Sequence, residues 1–239
     1  MLLRFLGLLF DDPIAFFILV PIVLATLGVA LLVAITVHEF SHALAAYRLG
    51  DTTAKHLGRL TLNPIAHLDP MGTLMLLLVG FGWGKPVPIN PYQLRNGIRT
   101  GSALVSAAGP LSNLVTAAVF AIPIRSGVLA WHSPGRLTSL FEGGIEGIAA
   151  DVIGLIIFYN IILAAFNILP LAPLDGFKIA LGLLPRKLSI LFSRLETYGP
   201  AILLLIIMVD FLTGAGLLFG IIRPIANTVS IVVLGKAIM

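Results

Sequence analysis

Residues 36–47 read TVHEFSHALAAY and end a long apolar run that starts near residue 14. On a helix, His38 and His42 project from one face on successive turns, because they are four residues apart. Their imidazoles can therefore share one divalent ion. Glu39 lies one position after His38, turned away from such an ion but within reach of a water molecule beside it. The stretch predicts a metal site at the end of a membrane-spanning helix.

Histidine, glutamate and histidine at this H-E-x-x-H spacing are typical of zinc hydrolases, although three fixed letters also occur by chance. The apolar context adds weight, because ionisable groups at membrane depth are costly unless they are paired, hydrated or bound to metal. The alternative is three polar residues at a helix end, with side chains that reach towards the membrane interface. We favour the metal site.

Composition indicates the class of protein. The 239 residues are 58% hydrophobic and 11% charged, and their mean hydropathy is +1.05. Soluble domains, in contrast, are about half apolar and a quarter charged. We therefore expect an integral membrane protein with a single domain over residues 1–239. The first ten residues hold one arginine and no small-residue cleavage site follows, so the first span is expected to stay in the mature chain.

Cysteine and charge content exclude several functions. The chain has no cysteine, which excludes disulfides and thiolate ligands, so a metal must be held by histidine, carboxylate or other oxygen donors. The net charge of +4 comes from lysines and arginines near the ends of apolar segments. This placement indicates membrane orientation rather than binding of nucleic acid. No aromatic and basic pattern suited to single-stranded nucleic acid is present.

The apolar segments predict an α-helical polytopic membrane protein with about four to six membrane segments. The predicted spans are 14–37, 102–124, 148–169 and 201–219, while 221–239 is a further span or an interfacial tail. The first helix is expected to continue to Tyr47 and to stop at Gly50, because glycine readily adopts the left-handed conformation that ends helices.

A short β-like and re-entrant region is predicted after the first span. Residues 58–63, GRLTLN, alternate in polarity, which indicates a strand. The apolar run 73–81 is too short to cross the bilayer as a helix. We expect it to be a re-entrant or interfacial segment that the rest of the protein shields.

Lysines and arginines are distributed unevenly between the two predicted sides. Ten lie on the side of the connections 50–102 and 170–199, counting Arg48. The opposite side holds Arg4, Arg125, Arg136 and Arg223. Because cytoplasmic loops carry the excess of basic residues, the metal site is expected towards the cytoplasmic side.

A catalytic zinc usually takes three protein ligands and keeps one open position, so the two histidines need a partner. Asp175 returns to their side of the membrane and follows Pro170 and Pro173, which resist continuation of a helix. A carboxylate at this depth would be costly if it bound nothing. Asp175 is therefore the best candidate; the alternative is an N-cap for a helix that begins at Gly176.

Two stretches suggest a family. HEFSH at 38–42 and FNILPLAPLDG at 166–176 resemble the signature motifs of the site-2 protease family of intramembrane zinc metalloproteases. The intervening GRLTLNPIAHLDPMGT, GWGKPVPIN and AAGPLSN are similar to the compact prokaryotic branch, and the resemblance covers most of the chain. The loop 125–147 is too short for the PDZ domain that many relatives carry.

The resemblance implies one Zn²⁺ ion, bound by His38, His42 and Asp175, with Glu39 as the catalytic base. It implies hydrolysis of peptide bonds within or near transmembrane segments of membrane-protein substrates in the lipid bilayer of a prokaryotic cell membrane. Asn167, and second Asn113, are candidate donors to the developing oxyanion. The alternative for both asparagines is hydrogen bonding between helices.

Other questions stay open at this point. His67 is an additional ligand, a substrate contact or, as we favour, a histidine that organises its loop. The segment 58–63 is equally a strand edge that receives an extended substrate or a structural hairpin. A metal or ion transporter is the alternative function, although the internal repeats typical of transporters are not found. The substrate, the cleavage position, the regulator and the oligomeric state do not follow from the sequence.

Overall fold

The computed structural model describes residues 6–79, 82–132 and 144–239. Within these residues, four helices are long and apolar enough to cross a membrane, so the chain is an α-helical polytopic membrane protein, as predicted. The α-helices of the described part are α1 (Leu6–Asp11), α2 (Pro13–Arg48), α3 (Thr53–His56), α4 (Pro70–Val79), α5 (Ile98–Arg125), α6 (Gly144–Asn167), α7 (Asp175–Leu183), α8 (Arg186–Ser193), α9 (Gly199–Thr213) and α10 (Leu217–Leu234).

The long helix α2 carries the HEFSH stretch and ends close to the predicted stop. Its last residue is Arg48, and Gly50 follows with φ of +108°, a backbone conformation that residues other than glycine rarely adopt. The carboxylate of Asp51 is buried and accepts the backbone N–H groups of Thr53 and Asn90. These bonds fasten two loops to the end of α2.

Helices α2, α5 and α6 form the centre of the bundle, with α5 antiparallel to both neighbours. Small buried residues on their facing surfaces include Ala34, Ala117 and Ala121, which lets the helices approach closely. The apolar core continues through Ile157 and Ile161 of α6. We call the end of the bundle where α2 ends and α5 begins the site end, and the opposite end the far end.

The predicted strand at 58–63 is wrong. Among the described residues the only β pairing is an isolated bridge between Leu68 and Gly84. The alternation of polar and apolar residues does not match their burial, because Arg59 is buried, 6% exposed, whereas Leu62 is 61% exposed. The guanidinium of Arg59 donates to the backbone carbonyl of Lys85 at 2.5 Å, so this loop is organised by a buried cation and not by a ladder.

The short apolar run at 73–81 is helical as far as Val79, as part of α4. Its ten residues span about 15 Å, half the thickness of the hydrocarbon core, so α4 is too short to cross. Residues 80 and 81 lie outside the described part of the chain.

The C-terminal region differs from the predicted pair of segments. The run 201–219 is divided between the 15-residue helix α9, which ends at Thr213, and the first residues of α10, and only α10 is long enough to span. Helix α9 starts at the site end, where a Cβ on Gly199 would collide with Ala172. Helix α10 ends at the far end, where Arg125 donates to the carbonyls of Val232 and Val233. The chain therefore starts α9 at the site end and finishes at the far end, and of these two helices only α10 is long enough to cross a membrane.

Candidate metal centre

Three side chains from two distant parts of the chain converge at the site end. The Nε2 atoms of His38 and His42 are 3.0 Å apart, and Oδ2 of Asp175 lies 3.1 Å and 3.2 Å from them. The two histidines are buried and Asp175 is half-buried. These are the ligands predicted from the sequence, and the structure brings all three together.

The other nitrogen of each imidazole faces a carbonyl oxygen. His38 Nδ1 lies 2.6 Å from Oδ1 of Asn113, and His42 Nδ1 lies 2.8 Å from the backbone oxygen of Val105. A carbonyl oxygen only accepts, so each neutral ring must carry its proton on Nδ1. Both Nε2 atoms then present lone pairs towards the same point, which is the tautomer that binds a metal through Nε2.

The spacing of the three atoms fits a zinc ion. A tetrahedral ion with bonds of about 2.0–2.1 Å separates its ligand atoms by about 3.3 Å, close to the 3.0–3.2 Å found here. Two lone pairs and a carboxylate oxygen at this separation repel one another unless a cation lies between them. The donor set therefore fits Zn²⁺, with three protein ligands and a fourth position for water.

Asp175 is held in place by the start of α7. It is the first residue of that helix, and its carboxylate makes no capping bond, so the N-cap alternative is not what the structure has. Gly176 packs directly on the carbonyls of Ile168 and Leu169, where a Cβ would collide. Carboxylates bind metal in their ionised form, and Oδ2 of Asp175 lies 3.1 Å and 3.2 Å from the two Nε2 atoms, so a cation between them would contact all three ligand atoms.

Glu39 stands beside the ligands and does not join them. Its Oε2 accepts the backbone N–H of Val87 at 3.2 Å. Val87 belongs to the extended segment 84–90, which is fastened by the N–H of Lys85 to the carbonyl of His67 at 2.8 Å and by Arg59. The segment thus holds one oxygen of the Glu39 carboxylate and leaves the other available.

Gly109 of α5 allows this arrangement. A Cβ there would lie 2.5 Å from Cε1 of His42 and 2.7 Å from Cε1 of His38, and closer still to His42 Nε2. Real Cβ atoms do not approach other atoms so closely, because interiors are already close-packed. Glycine is therefore required at position 109 for α5 to pass this close to the Nε2 and Cε1 atoms of the imidazoles.

Comparisons with known proteins agree with this site. The chain is 40% identical over 196 residues to the protein named "Putative zinc metalloprotease YwhC" of Bacillus subtilis (strain 168), with 80% of this chain and 81% of the relative covered. The chain belongs to the site-2 protease family of zinc metalloproteases. It is also 32% identical to Rip2 of Mycolicibacterium smegmatis, which carries the same metalloprotease description, over 61% of this chain and 52% of that protein.

A third relative extends the same pattern. Rip2 of Mycobacterium tuberculosis (strain ATCC 25618 / H37Rv) is 30% identical over 152 residues, 61% of this chain and 52% of that protein. No family model matches the chain, and no solved structure matches it. The relatives indicate a zinc metalloprotease, and the structure places His38, His42 and Asp175 as a group that could hold the metal ion.

In this site-2 protease the two asparagines predicted as oxyanion donors lie in different settings. Asn113 is fully buried behind His38, and its amide hydrogens are both donated, to the carbonyl of Ala34 at 2.9 Å and to Asn160 at 2.7 Å. Asn167 ends α6 and donates to the carbonyl of Leu163 at 3.0 Å. Oxyanion binding by the two asparagines stays a prediction. Asn113 makes hydrogen bonds between helices, which is the alternative role given for it above.

His67 of the site-2 protease occupies its loop as expected. It is fully buried, and its Nε2 donates to the carbonyl of Thr61 at 2.8 Å. Asp69, two residues further along the loop, accepts the N–H of Gly72 at 2.8 Å. The described metal-binding group does not include His67.

The sequence did not predict three features of the site: Asn160, the backbone amide of Val87 and the contact of Gly109 with the imidazoles. Asn160 carried a detectable signal, because an asparagine in the middle of an apolar span is a polar residue at membrane depth. The amide of Val87 carried none, since any non-proline residue there offers the same N–H group.

Proposed function

We propose that this site-2 protease hydrolyses peptide bonds within or near transmembrane segments of membrane-protein substrates, as a step of regulated intramembrane proteolysis. The observation that carries the proposal is the position of the ligands. His38 and His42 belong to the spanning helix α2, and Asp175 follows the spanning helix α6. A metal centre built on the ends of spans faces chains that lie in the same bilayer.

The mechanism assigns one role to each group. Zinc, when bound, supplies Lewis-acid chemistry and makes water nucleophilic at about neutral pH. Glu39 takes the proton of the attacking water and delivers it to the leaving nitrogen as the C–N bond breaks. The N–H of Val87 holds Oε2 of Glu39, so the other oxygen is presented to that proton. The metal-ligand nitrogens are kept unprotonated by the bonds at Nδ1.

The direct test is cleavage of a transmembrane segment in liposomes, with zinc measured by elemental analysis on the same samples. We expect about one zinc per chain, since three ligands with an open position describe one catalytic ion. His38→Ala with His42→Ala should remove both zinc and cleavage. Equal zinc in this double variant and the wild type would contradict the site. Ion movement without cleavage would favour the transporter alternative, which the relatives' descriptions do not support.

Asn167→Ala is expected to keep its zinc and to lower turnover by about 10²- to 10³-fold, the cost of removing an oxyanion donor. Asn167 lies at the last residue of α6, eight residues before the ligand Asp175, and is partly exposed. Cleavage rates at saturating substrate give the measurement. Normal turnover would make Asn167 a packing residue and its catalytic role wrong.

We propose that the site end faces the cytoplasm of a prokaryotic cell, because the basic connections lie there. Cysteines placed at Lys85 and Lys187, both exposed at the site end, should react with impermeant reagents only from the cytoplasmic face. A cysteine at Lys236 should react only from outside, since its ammonium lies 6.0 Å from the Trp131 ring at the far end. The chain has no cysteine to confuse the result. Arg136, the outer position suggested by the sequence, lies outside the described residues.

Labelling of the Lys187 and Lys236 positions from the same side would contradict the arrangement in which α10 crosses the bilayer and α9 does not. Labelling of the two from opposite sides, but with Lys187 outside, would leave the fold intact and reverse only the orientation.

A further inference from the structure

A chain of buried amides leads away from the metal centre through three spans. His38 Nδ1 donates to Oδ1 of Asn113 at 2.6 Å, and Nδ2 of Asn113 donates to Oδ1 of Asn160 at 2.7 Å. Nδ2 of Asn160 then donates to the backbone carbonyl of Ile156 at 2.8 Å. Both asparagines are 0% exposed. The Nδ1 proton of His38 is thus connected to the backbone carbonyl of Ile156 through the side chains of Asn113 and Asn160.

The direction of the bonds in this chain is set by two backbone carbonyls, one at its remote end and one beside Asn113. A backbone carbonyl can only accept, so the carbonyl of Ile156 turns the NH₂ group of Asn160 towards itself and its Oδ1 towards Asn113. That oxygen, together with the carbonyl of Ala34 at 2.9 Å, then holds the NH₂ group of Asn113. Oδ1 of Asn113 is left to face His38.

A reversed Asn113 amide would change the protonation of the ligand. Its NH₂ group would donate to Nδ1 of His38, which would move the ring proton to Nε2 and remove the lone pair that binds metal. His42 does not depend on such a chain, because its Nδ1 donates directly to the backbone oxygen of Val105 at 2.8 Å. The tautomer of His38 therefore depends on a chain of side-chain amides, whereas the tautomer of His42 depends on one backbone carbonyl.

We propose that Asn160 is a positioning residue of the zinc centre: through Asn113 it selects the Nδ1–H tautomer of His38. This inference rests on the proposed function, since it takes His38 as a zinc ligand. Asn160 touches neither metal nor substrate, and it acts by keeping one amide in one orientation. Outer partners of metal-bound histidines typically contribute 10- to 100-fold to metal affinity.

The test compares two substitutions at one position. Asn160→Leu keeps the size but offers no acceptor, so the zinc dissociation constant, measured by competition with a chelator, is expected to rise about 10- to 100-fold. Asn160→Asp is expected to stay within about threefold of wild type, because a buried carboxyl is neutral and can accept from Asn113 while its O–H donates to Ile156. Ser230→Ala, a fully buried hydroxyl of α10, is the control and should leave zinc affinity unchanged.

A second readout is independent of catalysis. In the zinc-loaded protein with ¹⁵N-labelled histidine, NMR detects the Nδ1–H group of each histidine ligand among the five histidines. We expect an Nδ1–H signal from both His38 and His42 in the wild type, and loss or exchange broadening of the His38 signal alone in Asn160→Leu. The unchanged His42 signal shows that the site is still folded.

The outcomes separate the two proposals. A wild type without zinc would contradict the proposed function. A wild type that binds zinc, with unchanged affinity and an unchanged His38 signal in Asn160→Leu, would overturn the role of Asn160. Should that variant fail to fold, the wild-type spectrum still decides, because the absence of an Nδ1–H signal from His38 in the zinc-loaded protein overturns the inference.

Discussion

Gly109→Ala is expected to remove zinc from the protein and to abolish cleavage. The added Cβ would lie 2.5 Å from Cε1 of His42 and 2.7 Å from Cε1 of His38, so both ligands must move or α5 must withdraw. Overpacking of a close-packed site costs about 1–3 kcal/mol even when a single neighbour is displaced. Because two metal ligands are displaced together, we expect zinc affinity to fall by at least about 100-fold.

The matched control is Gly28→Ala in α2, also a glycine inside a spanning helix. A Cβ at that position meets no atom within 4 Å, so zinc content and cleavage should equal those of the wild type. Elemental analysis and the cleavage assay are run on both variants, with thermal unfolding to confirm that each is folded. Wild-type zinc in folded Gly109→Ala would mean that α5 does not pass the imidazoles as closely as described.

Glu39→Gln should have the opposite pattern, with zinc retained and cleavage lost. Glutamine has the size of glutamate and keeps an oxygen that accepts the N–H of Val87, so the segment 84–90 stays in place. It cannot take a proton from water, and the loss of a general base typically costs 10²- to 10⁴-fold. We therefore expect turnover to fall by at least about 100-fold while the metal content stays near one ion per chain.

Glu196→Gln provides the control for a change of charge at the site end. Glu196 is exposed in the connection between α8 and α9, and its substitution should change neither zinc nor cleavage. The two glutamine variants are assayed with the same transmembrane segment in liposomes. Cleavage by Glu39→Gln at the wild-type rate would contradict the protease mechanism, whatever the metal content.

Several features of this protein follow from local sequence. The helical repeat alone places His38 and His42 on one face, and a sustained apolar run alone identifies α2, α5 and α6 as spans. The proline break before Asp175 and the absence of cysteine indicate the third ligand before any contact is known. These properties depend on neighbours a few residues apart, so they can be derived without the fold.

Tertiary structure decided the rest, because the deciding partners are distant in the chain. The tautomer of His38 depends on Asn113, 75 residues away, and through it on Asn160. Alternating polarity at 58–63 predicted a strand, but the buried position of Arg59 depends on carbonyl groups 26 and 27 residues further on. Hydropathy does not distinguish a span from a shorter apolar helix at its edge. The structure separates them by the helix ends, since the apolar run stops at Thr213 in α9 and α10 reaches the far end, where Arg125 bonds to its last turn.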